Sequence, residues 1–293
     1  MNYSPLRYPG GKSKLAPYIK SATKKENNRK LIYIEPFAGG AGVALDLLIN
    51  NVVDEIIIND YDKAVYSFWR AIKENYQSLI KLVQGTPITI EEWRKQKKIY
   101  LEGEKYSLEL GFAAFFLNRT NRSGVLNAGP IGGIEQKGNY KIDARFNKNN
   151  LIKRIQQIAK YRDKIVVYNK EIRSLLNKIL PRYCNQKDKS IFVYFDPPYY
   201  VKGQRLYPNF FEHEDHVQIA KLIQESSGYN WMVTYDDIKS IRDLYSGYPQ
   251  WKFELSYSLS SRKQGKEVMI FKNNDLKEMV KNTKLKSLKE VGK

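Results

Sequence analysis

Five short β-branched or aromatic runs alternate with helical patterns along the 293 residues: Leu31 to Ile34, Glu55 to Ile58, Ile165 to Tyr168, Ile191 to Phe195 and Asn230 to Thr234. Strands separated by helices cannot pair as tight hairpins and instead run parallel, so the alternation restricts the chain to an α/β sheet flanked by helices. About 105 residues lie between the second run and the third, far more than one crossover helix needs. A second domain is therefore expected there. The boundaries expected are a main domain of residues 1–72 and 163–272, an insert of residues 73–162, and a basic tail over residues 273–293.

Within the insert, Thr89 to Asn118 reads as helices, and Asn118 to Asn147, rich in Gly, Asn and Arg, reads as loop or hairpin. The last runs, Trp251 to Ser256 and Glu267 to Phe271, flank SLSSRKQGK and predict an antiparallel hairpin closing the sheet. The tail from Lys272 to Lys293 predicts a frayed helix.

Composition removes several classes. With 42% apolar and 13% aromatic residues the chain has too many core formers to stay disordered. One cysteine, Cys184, excludes an internal disulfide, and with only His213 and His216 beside it a zinc site lacks ligands. No metal is expected. The start is not a charged segment followed by an apolar one, and no long uninterrupted apolar stretch occurs. The chain thus reads as cytoplasmic and soluble, with no membrane partner. Fifty Lys plus Arg against 31 Asp plus Glu leave a net charge of +19. Such an excess favours a polyanion, through phosphate contacts and counterion release.

Four segments bear on a nucleotide site. Glu35-Pro36-Phe37-Ala38-Gly39-Gly40-Ala41-Gly42 follows an apolar strand and precedes a helical pattern, where glycines let backbone approach a ligand and a helix start offers unpaired N–H groups. Gly40 and Gly42 fit the first two glycines of the dinucleotide fingerprint, but Leu45 stands at the third, which counts against NAD. Asp60, at the end of the second strand, is placed to accept hydrogen bonds from a ribose. Near the N-terminus, Gly11-Lys12-Ser13 ends like a phosphate loop, but Leu6 occupies the position of its first glycine and no strand precedes it. The sharpest signal is Asp196-Pro197-Pro198-Tyr199, directly after the strand IFVYF. Open α/β sheets place chemistry at such strand ends, and consecutive prolines fix φ so that the Asp196 carboxylate and the Pro197 carbonyl present two acceptors together.

In order and spacing these segments resemble the DNA adenine methylase (Dam) family of S-adenosylmethionine-dependent methyltransferases. RYPGGK (Arg7 to Lys12) is similar to its N-terminal motif, EPFAGGAG to its cofactor loop, INDYD to its ribose-binding strand end and DPPY to its catalytic motif. The resemblance implies a Rossmann-like methyltransferase sheet, mostly parallel with an antiparallel C-terminal hairpin, and a mainly helical target-recognition domain inserted in it. It further implies that Tyr8, Lys12, Asp60 and Asp196 contact S-adenosyl-L-methionine, with Glu35, Phe37, Ala38, Gly39 and Gly40 forming its loop. Two segments depart from the pattern. Glu171-Ile172 stands where the family often has Asp-Phe, and Asn118 to Gly133 resembles the recognition hairpin only loosely, so no target sequence is carried over.

The residue types suit transfer to an exocyclic amine. The N6 lone pair of adenine is delocalised into its ring, and two acceptors, Asp196 and the Pro197 carbonyl, would hold both amine hydrogens and localise it. Inside a duplex the base is out of reach, so it must flip, and Tyr199 would stack on its face. Attack at cytosine carbon would need a thiol, and Cys184 lies away from any strand end. Cytosine N4 needs the same acceptors as adenine N6 and stays open as an alternative, as does an idle DNA-binding protein with this fold. For the expected partner, double-stranded DNA, Asn118, Arg119, Asn121, Arg122 and Asn127 are candidate base readers. Lys137, Lys141, Arg145 and Lys148 are candidate phosphate contacts. A cognate restriction endonuclease is a conceivable second partner.

Overall fold

Alternate residues of each central strand enter different apolar clusters, which is why the chain forms a sheet covered on both faces. Leu31, Tyr33, Ile56, Ile58, Phe192 and Tyr194 pack into one cluster, and Ile32, Ile34, Ile57, Ile191, Val193 and Phe195 into the other. A side chain changes face at every residue of a strand, so runs that are apolar at both parities need a layer on each side. The computed structural model describes residues 3–7, 12–23, 29–200, 211–259, 261–283 and 289–290.

The strands are β1 (Lys30–Glu35), β2 (Glu55–Asn59), β3 (Ile165–Tyr168), β4 (Lys189–Phe195), β5 (Asn230–Asp236), β6 (Gln250–Leu259), β7 (Ser261–Phe271) and β8 (Lys289–Glu290). They form one sheet in the order β3-β2-β1-β4-β5-β7-β6-β8. The first five strands run parallel, whereas β7 pairs antiparallel with both β5 and β6. All five expected parallel strands are present, within three residues of the expected ends. The terminal hairpin is longer than its apolar runs suggested, because main-chain pairing continues to Leu259 and Ser261.

One face is covered by α1 (Ala16–Ala22), α2 (Gly42–Ile49), α3 (Lys63–Gly85), α5 (Leu108–Thr120) and α6 (Lys148–Ala159), while α4 (Ile90–Glu102) packs on α5. The helical segments between Ile172 and Cys184, with His213–Gln224 and Lys239–Leu244, cover the other. The long connection from β2 to β3 contains α3 to α6. Its helices share an apolar cluster with the sheet: Phe68 stacks on Phe115 at 5.5 Å, and Phe115 and Phe116 both meet Phe146. Gly111 permits the close approach of α5 to α3, since a Cβ there would lie 2.7 Å from the Ser67 carbonyl oxygen. The segment from 121 to 147 is built of turns, a short 3-10 helix (Arg122–Gly124) and a bridge from Asn121 to Pro130.

The tail differs from the frayed helix expected. Asn274–Lys281 is a helix capped by the Asn273 side chain, which accepts from Leu276 N at 3.0 Å. It buries Leu276 and Val280 in the cluster shared with α1, and that apolar stripe is what docks it.

Candidate active site

β1 and β4 are adjacent in the sheet, but the chain leaves β1 toward β2 and β3 and returns on the opposite side to form β4. At such a switch point the loops after two neighbouring parallel strands diverge and leave a crevice. Here those loops are Glu35 to Gly42 and Asp196 to Tyr199. The crevice is a cavity of about 430 Å³, within the range of small-molecule sites. Lys12, Glu35 to Gly42, Asn59 to Asp62, Asp196 and Pro198 all line it, together with Phe211, Asp215, Ile219 and Leu222. Pro197 is buried between its neighbours. Tyr8 lies outside the described residues.

The glycine loop is held from three sides. Gly39 has a φ of 46°, a left-handed conformation in which a glycine is unstrained. Its N–H donates to Asp60 Oδ2 at 2.9 Å and its carbonyl accepts from Trp69 Nε1 at 2.8 Å. Asn59 acts as a strut across three strand ends: its Nδ2 donates to the Pro36 and Lys170 carbonyls, while its Oδ1 accepts from Lys170 N. Below the loop, Glu35 Oε1 accepts from Tyr33 OH at 3.0 Å and from Ala44 N at 2.9 Å. Burial pushes the Glu35 carboxyl up to about 8, against the downward pull of those two donors. Asp60 is raised to about 7, first by burial and then by Asp62, although Asp62 N and Gly39 N donate to it.

Around the catalytic motif the groups form one network. Lys12 Nζ lies 3.0 Å from Asp196 Oδ1 and donates to Thr234 Oγ1 at 3.1 Å, to Glu267 Oε2 at 3.2 Å and to the Tyr199 hydroxyl. Thr234 Oγ1 donates to Asp196 Oδ1 at 3.0 Å, and Tyr194 OH lies 2.7 Å from Thr234 Oγ1. Asp196 Oδ2 has no hydrogen-bond partner among the described residues. Burial lowers the Lys12 pKa, but Asp196 and Glu267 outweigh it and the ammonium is held above its ordinary value. Tyr199 does not line the cavity; its ring lies under Lys12 Nζ at 4.7 Å. Sequence reasoning missed Thr234, Glu267, Asn59 and Trp69. Glu267 belongs to an antiparallel strand far along the chain, and no motif spacing links it to DPPY.

The candidate DNA residues separate into distinct environments. Asn118 is buried at 2% exposure. Its Oδ1 accepts from Arg7 N at 2.6 Å and its Nδ2 donates to the Arg7 and Gly124 carbonyls. That removes it from the base readers, because one amide hydrogen is spent on the N-terminal segment at Arg7 and the other on Gly124 within the insert. Asn121 is buried likewise, taking the Trp93 indole N–H and donating to Val125 and Leu126 carbonyls. Lys148 is committed to the Gln84 and Thr86 carbonyls, so it is not a free phosphate contact. Arg122, Asn127, Lys137 and Arg145 are exposed, with Lys137 paired to Glu135. Arg119 Nε donates to the Arg145 carbonyl at 2.7 Å. Its guanidinium is pulled down to about 9 by burial, then by Arg7, Arg154 and Arg145. Gly124, Val125 and Leu126 of the same loop line the cavity beside Ser4 and Leu6. Cys184 is a half-buried free thiol whose pKa burial raises.

Residues 8–259 match the family described as D12 class N6 adenine-specific DNA methyltransferase. The chain belongs to this family. As a D12 adenine methyltransferase it acts on DNA and transfers methyl to adenine N6, which resolves the choice between adenine and cytosine. Its relatives include the Type II methyltransferase M.MjaIII of Methanocaldococcus jannaschii, 25% identical over 75% of this chain and 78% of that one. M1.LlaDCHI of Lactococcus lactis subsp. cremoris is 21% identical over 92% and 94% of the two chains. M.CviBI of Paramecium bursaria Chlorella virus NC1A is 23% identical over 82% and 89%. Among solved structures, the rRNA methyltransferase aviRa of Streptomyces viridochromogenes aligns with a TM-score of 0.41 at 11% identity, covering 93% of this chain and 89% of that one. Among the described residues, no helix of this D12 methyltransferase is long and apolar enough to cross a membrane. No group of three or more His, Cys, Asp and Glu could hold a metal among them.

Proposed function

We propose that the cavity between β1 and β4 holds S-adenosyl-L-methionine and that Asp196 to Tyr199 receive an adenine extruded from double-stranded DNA. One observation carries this reading: the glycine loop, Asp60 and Asp196 share a single cavity. The lining fits the group. Phe37, Phe211, Ile219 and Leu222 offer apolar walls for a purine ring, Asp60 an acceptor for ribose hydroxyls, and Asp196 a carboxylate attractive to a sulfonium. When bound, the cofactor supplies the electrophilic methyl group.

The chain's own residues then act on the adenine amine. Lys12 and Thr234 engage Asp196 Oδ1, which leaves Oδ2 to accept one N6 hydrogen. The Pro197 carbonyl accepts the other. Two fixed acceptors localise the nitrogen lone pair and aim it, an effect of positioning and preset electrostatics rather than of strong prior deprotonation. Methyl transfer would form the N–C bond as the donor's S–C bond breaks, and the displaced amine proton would leave along the Asp196 hydrogen bond. Tyr199 stacks on the base face.

DNA contact is assigned to the insert, residues 73–162, with residues 1–72 and 163–272 as the catalytic domain. The guanidinium groups of Arg7, Arg154 and Arg145 each repel that of Arg119, and a DNA phosphate would relieve that repulsion. Arg122 and Asn127 are exposed on the loop whose neighbours line the cavity, which supports reading them as base readers, with Lys137 and Arg145 as phosphate contacts. The Type II names of the relatives favour a cognate restriction endonuclease as biological partner, and the DNA substrate favours a cytoplasmic location.

The test is incubation with DNA and methyl-labelled S-adenosylmethionine, followed by sequencing of modified bases. The wild-type chain deposits N6-methyladenine at one sequence. Asp196→Ala abolishes transfer while cofactor and DNA binding persist; transfer at the wild-type rate by that variant would overturn the assignment.

A further inference from the structure

We propose that Glu267 is a positioning residue for methyl transfer, its buried carboxylate fixing both the Lys12 ammonium beside Asp196 and the Tyr199 hydroxyl beside the base site. The inference rests on the reading that Asp196 and Tyr199 handle the adenine.

Glu267 stands on β7, opposite Asp236 of β5 and Phe253 of β6, and its side chain has 0% exposure. An apolar or neutral residue would be the ordinary occupant of such a site, because a buried carboxylate needs compensating donors. It has two. Oε1 accepts from Tyr199 OH at 2.6 Å and Oε2 accepts from Lys12 Nζ at 3.2 Å. Each oxygen therefore holds one group of the catalytic network, and neither donor comes from β7 or from a strand beside it.

The division of Lys12 between two carboxylates has a chemical consequence. Its ammonium is 3.0 Å from Asp196 Oδ1 and 3.2 Å from Glu267 Oε2. Without Glu267 the full positive charge would settle on Asp196, weakening the acceptor that must polarise an amine. With Glu267 the set of Lys12, Asp196 and Glu267 carries one net negative charge, which complements a sulfonium donor. The Tyr199 hydroxyl, donating to Glu267 and accepting from Lys12, is fixed at its tip while its ring stays where an extruded base would stack. Misplacement of such groups by about 1 Å lowers rates by roughly a hundredfold.

Two variants test this in the full chain, with DNA containing the methylated sequence and, separately, 2-aminopurine at the target adenine. Glu267→Gln keeps shape and size but replaces one acceptor oxygen by a donor. Its single-turnover methylation rate at saturating cofactor should fall by roughly 30- to 100-fold, with the DNA dissociation constant within about twofold. Tyr199→Phe removes the hydroxyl held by Glu267 and keeps the ring. It should fold normally, lower the single-turnover rate by roughly tenfold, and change the 2-aminopurine fluorescence of the bound complex. A wild-type rate in folded Glu267→Gln overturns the inference. Should Glu267→Gln fail to fold, a wild-type rate and unchanged fluorescence in Tyr199→Phe overturn it. Asp196→Ala keeps the two readings apart: if it is inactive while these variants are normal, only the role of Glu267 falls.

Discussion

Gly39 N–H donates to Asp60 Oδ2 at 2.9 Å, so the loop after β1 and the end of β2 are joined by the acidic side chain proposed to bind the cofactor ribose. Burial and Asp62 hold that carboxyl up at about 7. A raised carboxyl keeps its proton longer in the native state, and its full acceptor capacity is gained only as pH rises through about 7. S-adenosylmethionine affinity should therefore increase between about pH 6 and pH 8. Asp60→Asn should bind at least tenfold more weakly at the upper end and lose the pH dependence, as isothermal titration calorimetry would read. An affinity indifferent to both pH and substitution would refute the assignment.

Glu35 makes an opposite demand on pH. Burial raises it from 4.5 to about 8, so the folded state binds its proton more tightly than the unfolded chain does. The stability it contributes is full below about pH 4.5 and is lost progressively as pH climbs through about 8. Glu35→Gln should flatten this part of the stability curve and be more stable than wild type above about pH 8, on the order of a few kcal/mol at most. Thermal melts across the pH range check the crossing.

Asn118 connects the Arg7 backbone to Gly124 by three hydrogen bonds. Asn118→Ala should destabilise the fold by at least about 3 kcal/mol, at roughly 1 kcal/mol for each of three bonds with unpaired buried groups adding to it. Because Ser4, Leu6 and Gly124 line the cavity, the KM for cofactor should rise even where the variant is fully folded. Urea denaturation with steady-state kinetics separates the two effects. A base-reading role would instead alter which sequence is methylated.

Arg119 gathers positive charge from Arg7, Arg154 and Arg145. Arg119→Ala should weaken DNA binding about equally on methylated-site and random duplexes and reduce the slope of log affinity against log salt by about 1. Fluorescence anisotropy over a salt series reads this. An unchanged slope would place the phosphate elsewhere.

The five parallel strands, the loop after β1, Asp60 and DPPY were legible in the sequence because each is local. A run apolar at both parities, a glycine-rich turn before a helical pattern and an Asp-Pro-Pro-Tyr after a strand carry their meaning within a few residues. Their meeting in one cavity also followed, since parallel strands deliver all their C-terminal ends to the same edge of a sheet. What packing decided was which side chains are free. Asn118 and Arg122 look alike as polar residues of one Arg- and Asn-rich segment, yet one is buried with its amide hydrogens spent on backbone and the other is exposed. Glu267 could not be found from its neighbours, because its partners Lys12 and Tyr199 lie 255 and 68 residues away. Long-range hydrogen bonds between strand ends depend on sheet order and register, and those are settled only when the whole sheet closes around its two apolar layers.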